Sequence, residues 1–295
     1  MRRAAFAPAK VNLYLHVGPV GADGYHPIAS LAAFADVGDR ISVEPSERFE
    51  VTVTGPFATG VPAGPDNFVA GAVAALPGVS PKLRLTIDKQ LPVAAGLGGG
   101  SSDAAAVLRL LRDERLATAE DASRAARATG ADGLACLAAR PVIMRGRGDD
   151  LAAAPPLPML QAVLVNPQAA CSTGAVYRAY DAGQVMAADE PQPPPSFGTA
   201  ADVAAWLGKE TRNDLERPAQ QVQPAVTEVL DWLRARPEPL LVRMSGSGAT
   251  VFALFQGAEE AHDLANIFAR ERPNWWARAC RLGGPWPTQS EPDRS

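Results

Sequence analysis

The stretch Pro92-Val93-Ala94-Ala95-Gly96-Leu97-Gly98-Gly99-Gly100-Ser101-Ser102-Asp103-Ala104-Ala105-Ala106 constrains this chain more than any other. It is a glycine-rich loop set between a strand pattern and a helix pattern. Ahead of it, Leu83, Leu85 and Ile87 alternate with Arg84, Thr86 and Asp88, the period of a half-buried strand. Behind it, Ala104 to Leu111 is an apolar, helix-favouring run without glycine or proline. Ser101, Ser102 and Asp103 stand at the junction, where residues that cap a helix are expected. Glycines there let backbone N–H groups crowd around an anion, and a helix N-terminus carries roughly half a positive charge. A polyphosphate suits such a seat.

The common phosphate-loop patterns do not fit. No lysine follows the glycines, and Ser101 takes the last glycine place of a GxGxxG read from Gly96. A tight β-to-α turn with a serine cap uses the same residue types. Density favours the ligand-binding reading, because four glycines, two serines and an aspartate fall within the eight positions 96–103.

The 295 residues suffice for one large or two ordinary domains, each with its own core. Hydrophobic residues make up 47% and charged ones 20%, a globular composition rather than a disordered one. A net charge of −4 argues against a nucleic-acid surface, which needs clustered Lys and Arg. Cys136, Cys171 and Cys280 are odd in number and far apart, which excludes a disulfide framework or a CxxC metal site and suits a reducing cytoplasm. Lys10, Asn12 and His16 interrupt any signal-peptide core, and no run of 18 apolar residues is present to span a membrane.

Along the chain, Val11, Leu13, Leu15 and Val17 alternate with Lys10, Asn12, Tyr14 and His16, so Lys10 and Asn12 share one strand face. A turn-rich segment ends in Asp23-Gly24-Tyr25-His26-Pro27. Short strands are expected at 40–43 and 49–53, and Asp66 is expected to cap a helix from 67 to 76. A further helix from 118 to 128 has Thr118 and Asp121 at capping-box spacing and a stop at Gly130. A strand is expected at 142–145, with Asp149 and Asp150 on a surface turn. The three prolines within 152–158 mark the best domain boundary, giving units 1–154 and 155–283. The second unit reads as strands at 162–165, 240–244, 250–255 and 277–282. Its helices are expected at 174–180, 199–207, 224–234 and 259–270. An exposed proline-rich loop is expected at 184–198 and a flexible tail at 284–295. The small-residue run Ser245-Gly246-Ser247-Gly248 joins two strand patterns and suits either an ordinary hairpin or close approach to a ligand.

Three motifs occur in order: Ala7-Pro8-Ala9-Lys10-Val11-Asn12 with Asp23-Gly24-Tyr25-His26, then Pro92 to Ala105, then Ser245 to Thr250. Together they resemble the galactokinase, homoserine kinase, mevalonate kinase and phosphomevalonate kinase superfamily, over nearly the whole chain. The resemblance implies an α+β, two-domain small-molecule kinase fold with the active site in the interdomain cleft. It also implies ATP, with Mg2+, as phosphoryl donor. The pairing of the Asp23–His26 segment with the glycine loop resembles members whose small-molecule substrate carries a cytidine diphosphate group.

On this resemblance Lys10 and Asp132 are the catalytic pair, with Asp132 as general base and Lys10 meeting charge on the transferring phosphoryl group. The run Pro92 to Ser102 holds the ATP phosphates, and Asn67 and Lys89 lie near adenine and ribose. Asn12, Tyr25, His26 and Tyr177 bind the acceptor, the rings suiting a pyrimidine base. Asp103 caps the loop helix or bonds within the loop. The metal ligands and the oligomeric state stay open. One departure stands out: the family segment after the aspartate usually reads Val-Pro, whereas Gly133-Leu134 follows here, which puts the placement of Asp132 in question. The alternatives are a homoserine- or mevalonate-type kinase, or a catalytically silent nucleotide-binding relative.

Overall fold

A computed structural model describes residues 3–78, 82–183 and 185–286. In chain order the elements are β1 (Arg3–Val17), β2 (Ile28–Pro45), β3 (Glu50–Thr54), α1 (Phe68–Ala74), β4 (Leu83–Asp88), α2 (Gly99–Asp113), α3 (Ala119–Ala128) and α4 (Gly133–Ala138). They continue as β5 (Val142–Gly146), β6 (Asp150–Ala153), β7 (Leu160–Asn166), α5 (Thr173–Asp181), α6 (Ala200–Glu210), α7 (Glu216–Val222) and α8 (Ala225–Arg234). The last are β8 (Leu241–Met244), β9 (Val251–Phe255), α9 (Ala258–Glu271) and β10 (Trp276–Gly283). Helices and a mixed sheet make this an α+β chain, as expected.

The strands form one ten-stranded sheet in the order β3-β4-β2-β10-β7-β9-β8, with β1 and β5 also paired to β2 and β6 to β5. Residues 154–159, at the expected domain boundary, carry no helix or strand. The sheet runs past that point, because β10 pairs with β7 and, at Leu282 and Gly283, with β2. α2 packs against β1, α1, α3 and α4, and its residues Ser101 to Leu111 are buried. One apolar cluster lies between α1, α2 and the β2–β4 face, and another packs α8 and α9 on β7 and β9.

β2 extends well beyond the expected strand at 40–43. Its 18 residues begin at Ile28, and Ala29 to Ala35 is buried on both faces, so its small apolar residues show no alternation. β1 is buried on both faces from Ala7 to Val17 for the same reason. α4, α7 and β6 are short elements without a sequence period, and Asp150, expected on a surface turn, opens β6.

Several caps correct the expected ones. Asn67, not Asp66, caps α1, with its side chain accepting from the Val69 N–H. α2 begins at Gly99, and its N-cap is Gly98 in the left-handed region at φ 61°, so Ser101, Ser102 and Asp103 lie inside the helix rather than capping it. Thr118 caps α3 as the spacing predicts, and Thr199, expected as the first residue of its helix, is the N-cap of α6.

The segment 185–198 has no helix or strand but is not a free loop. Tyr180 Oη accepts from Met186 N at 2.9 Å, Arg145 Nε donates to Glu190 at 2.8 Å, and Phe197 is buried against Trp206. In the expected tail, Trp286 Nε1 donates to Phe34 O at 2.7 Å; residues 287–295 lie outside the described residues.

Candidate active site

The glycine loop is held by the two structures that flank it. β1 departs from regular pairing with β2 between Pro8 and Lys10 and again between Asn12 and Tyr14. Such bulges re-aim side chains. Here they free backbone groups for the loop: Lys10 N donates to Leu97 O at 2.9 Å, and Ser102 Oγ donates to Pro8 O at 2.7 Å. On the other side, the small-residue turn between β8 and β9 docks against Gly96. Ser245 Oγ donates to Gly96 O at 2.9 Å and accepts from Asn12 N at 3.1 Å. A Cβ on Gly96 would lie 2.4 Å from Ser245 O, so only glycine allows this approach. The Ser245–Gly248 turn is therefore more than a hairpin connection.

Gly98 has no side chain to cap α2, so the first N–H groups of the helix face the cleft without a side-chain partner. That cleft measures about 530 Å³ and is lined by Pro92 to Gly96 and Gly98 to Ser101, together with Lys10, Asn12 and Asp132. Leu97 turns into the core and Ser102 is spent on Pro8; neither lines the cleft.

Lys10, 3% exposed, donates to Asp132 Oδ1 and to Asn12 Oδ1, each at 2.7 Å. Asn12 Nδ2 in turn donates to Ser30 Oγ at 2.7 Å, which fixes the amide. Asp132 is the N-cap of α4, yet its carboxylate makes no capping bond and is left for Lys10. Gly133 accounts for the placement. A Cβ there would lie 1.9 Å from Ala126 O at the end of α3, so glycine lets α4 start flush against α3 and points Asp132 toward Lys10. The departure from Val-Pro leaves the aspartate paired with the lysine.

The wall can be followed from contact to contact. A Cβ on Gly100 would meet Phe68 at 3.0 Å, and one on Gly98 would meet both Asp132 and Lys10 at 3.3 Å. Burial first, then the charge of Asp132, pushes the Tyr177 hydroxyl up to about 12. The Tyr177 ring in turn lies 5.0 Å from that of His26. Asn67, Phe68 and Lys89 line the cleft with the glycines, and Tyr177, Thr173 and Ser247 also line it.

The other predicted site residues are placed as follows. Asn67 Nδ2 donates to Pro62 O at 2.6 Å. The Lys89 ammonium is engaged by Asp39 and, at 2.7 Å, by Asp103, so it pairs with carboxylates rather than standing free. Asp103 bonds to Lys89 rather than capping the helix or bonding within the loop. His26 is held by Gly18 O, 2.8 Å from Nδ1, and faces Asp181 at 3.4 Å from Nε2. Tyr25 is 57% exposed, lies under the Arg147 guanidinium at 4.0 Å and does not line the cleft. Sequence reasoning missed Phe68 and Thr173, whereas Ser247 belongs to the run read as suited to close approach to a ligand. An exposed aromatic just after a helix cap was the one available signal for Phe68.

Among the described residues no helix is long and apolar enough to cross a membrane. The models for the GHMP kinases N terminal domain and the GHMP kinases C terminal match residues 67–140 and 196–274. A homoserine kinase from Cytophaga hutchinsonii shares the fold at 18% identity and a TM-score of 0.60, covering 98% of this chain and 95% of that one. Fold and family models together define a small-molecule kinase of the GHMP class. A 4-diphosphocytidyl-2-C-methyl-D-erythritol kinase of Caulobacter vibrioides is 55% identical, covering 96% of this chain and all of the relative, and one of Hyphomonas neptunium is 46% identical, covering 95% and 96%. A crystal structure of 4-(cytidine 5'-diphospho)-2C-methyl-D-erythritol kinase superposes with a TM-score of 0.74 at 34% identity, covering 96% of this chain and 100% of that one. The chain belongs to the 4-diphosphocytidyl-2-C-methyl-D-erythritol kinase family.

Proposed function

We propose that the chain transfers the γ-phosphoryl group of ATP to the 2-hydroxyl of 4-diphosphocytidyl-2-C-methyl-D-erythritol, in the non-mevalonate route to isoprenoid precursors. One observation carries the mechanism: Lys10, Asn12 and Asp132 converge within hydrogen-bonding distance beside the uncapped N-terminus of α2.

In this reading the N–H groups of the glycine loop and the α2 terminus seat the ATP phosphates. The Asp132 carboxylate takes the hydroxyl proton as the acceptor oxygen bonds to the γ-phosphorus. The bond from that phosphorus to the β–γ bridging oxygen breaks, and ADP leaves. Lys10 meets the charge spread over the transferring oxygens and orients Asp132. Asn12 holds the ammonium between them. Mg2+ bound with ATP would neutralise part of the charge on the transferring phosphates. Among the described residues no group of three or more His, Cys, Asp or Glu side chains is gathered to hold an ion independently.

Tyr177, which lines the cleft, and His26, whose ring packs tilted against it at 5.0 Å, offer the aromatic surface a cytosine ring needs. Residues 1–154 and 155–283 form the two units between which substrates meet. Three buried, unpaired cysteines fit a reducing cytoplasm, where ATP is available. The test is Asp132→Asn assayed with the cytidyl substrate, homoserine and mevalonate. Turnover of the cytidyl substrate alone by the native chain, lost in the variant with nucleotide binding kept, is the expected result. Unchanged turnover in Asp132→Asn would remove the aspartate from its role.

A further inference from the structure

Two carboxylates share one ammonium directly behind the phosphate seat. Lys89 Nζ donates to Asp39 and to Asp103, and all three side chains are at least nine-tenths buried. The two acids are not equivalent. Asp39 Oδ1 accepts from the N–H groups of Gln90 and Leu91 at 2.6 and 2.9 Å, so its charge is fully solvated by the chain. Asp103 Oδ1 is buried and has no partner among the described residues. An ionised carboxylate with one oxygen unsolvated in such a place is costly, and a second negative charge on the same ammonium adds to the cost.

The position of this pair ties it to the nucleotide. Asp103 follows Gly99 by four residues on α2, so its side chain points back toward the helix N-terminus. A Cβ on Gly99 would lie 3.4 Å from Lys89 Nζ and 3.7 Å from Asp39 Oδ2. Gly99, Asp103 and Lys89 all line the cleft. An ionised Asp103 therefore competes with the ATP phosphates for the same positive helix end. With a proton on Asp103, the Lys89–Asp39 pair is neutral and the helix end is left to the phosphates.

We propose that Asp103 is a positioning residue that takes up a proton when nucleotide fills the phosphate seat, so that nucleotide binding is proton-linked. The proposal rests on the seat assigned above. Burial and then the Asp39 charge push the Asp103 carboxyl well above its ordinary range, with Lys89 opposing them. Burial lowers the Lys89 ammonium, but Asp103 and Asp39 outweigh it and leave it raised, so Lys89 stays charged. The other groups facing this region are Lys10 from β1, Asp132 at the start of α4, and the Cys136 thiol of α4, which burial pushes up and keeps neutral. None of these bonds to Asp103, which leaves it as the group whose charge the phosphates set.

The test is calorimetric titration of the full chain with MgADP across the whole pH range in which the chain stays folded, in buffers of differing ionisation enthalpy. Expected for the native chain are proton uptake and an affinity that falls as pH rises, by at most about tenfold per pH unit, the limit for one linked proton. Asp103→Asn should bind MgADP without uptake and without that slope. Infrared difference spectra of the native chain supply a second readout that does not depend on the variant's stability: MgADP should add a carboxylic-acid band. Uptake equal in native chain and variant, or no uptake and no new band in the native chain, would overturn the proposal. Failure of MgADP to bind at all would instead overturn the phosphate seat, and the proposal with it.

Discussion

The ammonium of Lys10 stands 2.7 Å from a carboxylate oxygen of Asp132, a residue 122 positions further along the chain. Neither residue signals its partner locally. Lys10 is brought there by the bulged part of β1, and Asp132 by the tight junction of α3 with α4. Lys10→Met keeps an unbranched side chain one atom shorter and removes its charge. Because the Asp132 side chain is 29% exposed, water can take the place of the lost partner and the fold should stand. We expect kcat to fall by roughly 100- to 1,000-fold, the range for losing one preorganised donor. Steady-state kinetics beside a thermal melt checks this, and a kcat within threefold of native would contradict it.

Gly133 and the carbonyl of Ala126 make a second test of the same pair. The Cβ of Gly133→Ala would collide with backbone rather than with the end of a flexible side chain. Moving α4 to relieve the clash should cost about 1–3 kcal/mol, as for other overpacked sites. It should also swing Asp132 away from Lys10, so kcat falls while MgADP affinity is kept. Gly208→Ala in α6, where a Cβ meets nothing within 4 Å, is the control. It should stabilise by about 0.5–1 kcal/mol, since glycine is a poor helix former. Chemical denaturation of both variants separates the two effects.

These particulars show why some of the molecule was legible in the sequence and some was not. The strand, glycine loop and helix around residue 98 could be read because an alternating run, a cluster of glycines and an alanine-rich run are each local. Thr118 was legible as a cap for the same reason. Asp66 and Asn67 are adjacent and chemically equivalent as caps, so choosing between them needed the backbone. β2 hid because residues buried on both faces do not alternate, and α4 because six residues cannot show a helical period. The pairing of Lys89 with Asp39 was invisible, since β2 and the end of β4 are brought together only by sheet register. The close fit of Gly133 to Ala126 was likewise beyond a sequence that showed only a missing proline.

Tyr177 gives a prediction on the acceptor side. Its ring lines the cleft and packs, tilted by 37°, against His26, whose Nδ1 is fixed on Gly18 O. Tyr177→Ala should raise KM for the cytidyl substrate by roughly 10- to 100-fold, the loss of one base–aromatic stack. KM for ATP should stay within twofold, because the phosphate seat is built by other residues. Tyr177→Phe keeps the ring and should behave as native. Equal effects on both substrates in Tyr177→Ala would show that the residue supports the cleft as a whole.

His16 gives stability a pH dependence on the acid side. It is 1% exposed, with Nδ1 donating to Asp189 O at 2.7 Å and Nε2 accepting from the Arg212 N–H at 3.1 Å. The second bond requires a neutral ring. Burial lowers its pKa below the ordinary 6.5; the Asp189 carbonyl and the Asp214 and Asp189 carboxylates oppose that, while Arg212 reinforces it. Between the lowered folded value and 6.5 the unfolded chain binds the extra proton and the folded chain does not, so stability rises with pH in that window. The contribution is complete above 6.5 and is lost as pH falls toward the folded value. The segment it ties down is the one that Arg212 also holds, through Ala187 O at 3.1 Å. Denaturation midpoints measured from pH 7.5 down to 5.5 should therefore decline in the native chain. In His16→Gln, whose amide does not titrate, the decline should be shallower by at most one proton's worth, from a lower starting stability. Parallel curves for the two proteins would mean that His16 takes up its proton as readily in the folded chain as in the unfolded one, contrary to the bond it accepts from Arg212.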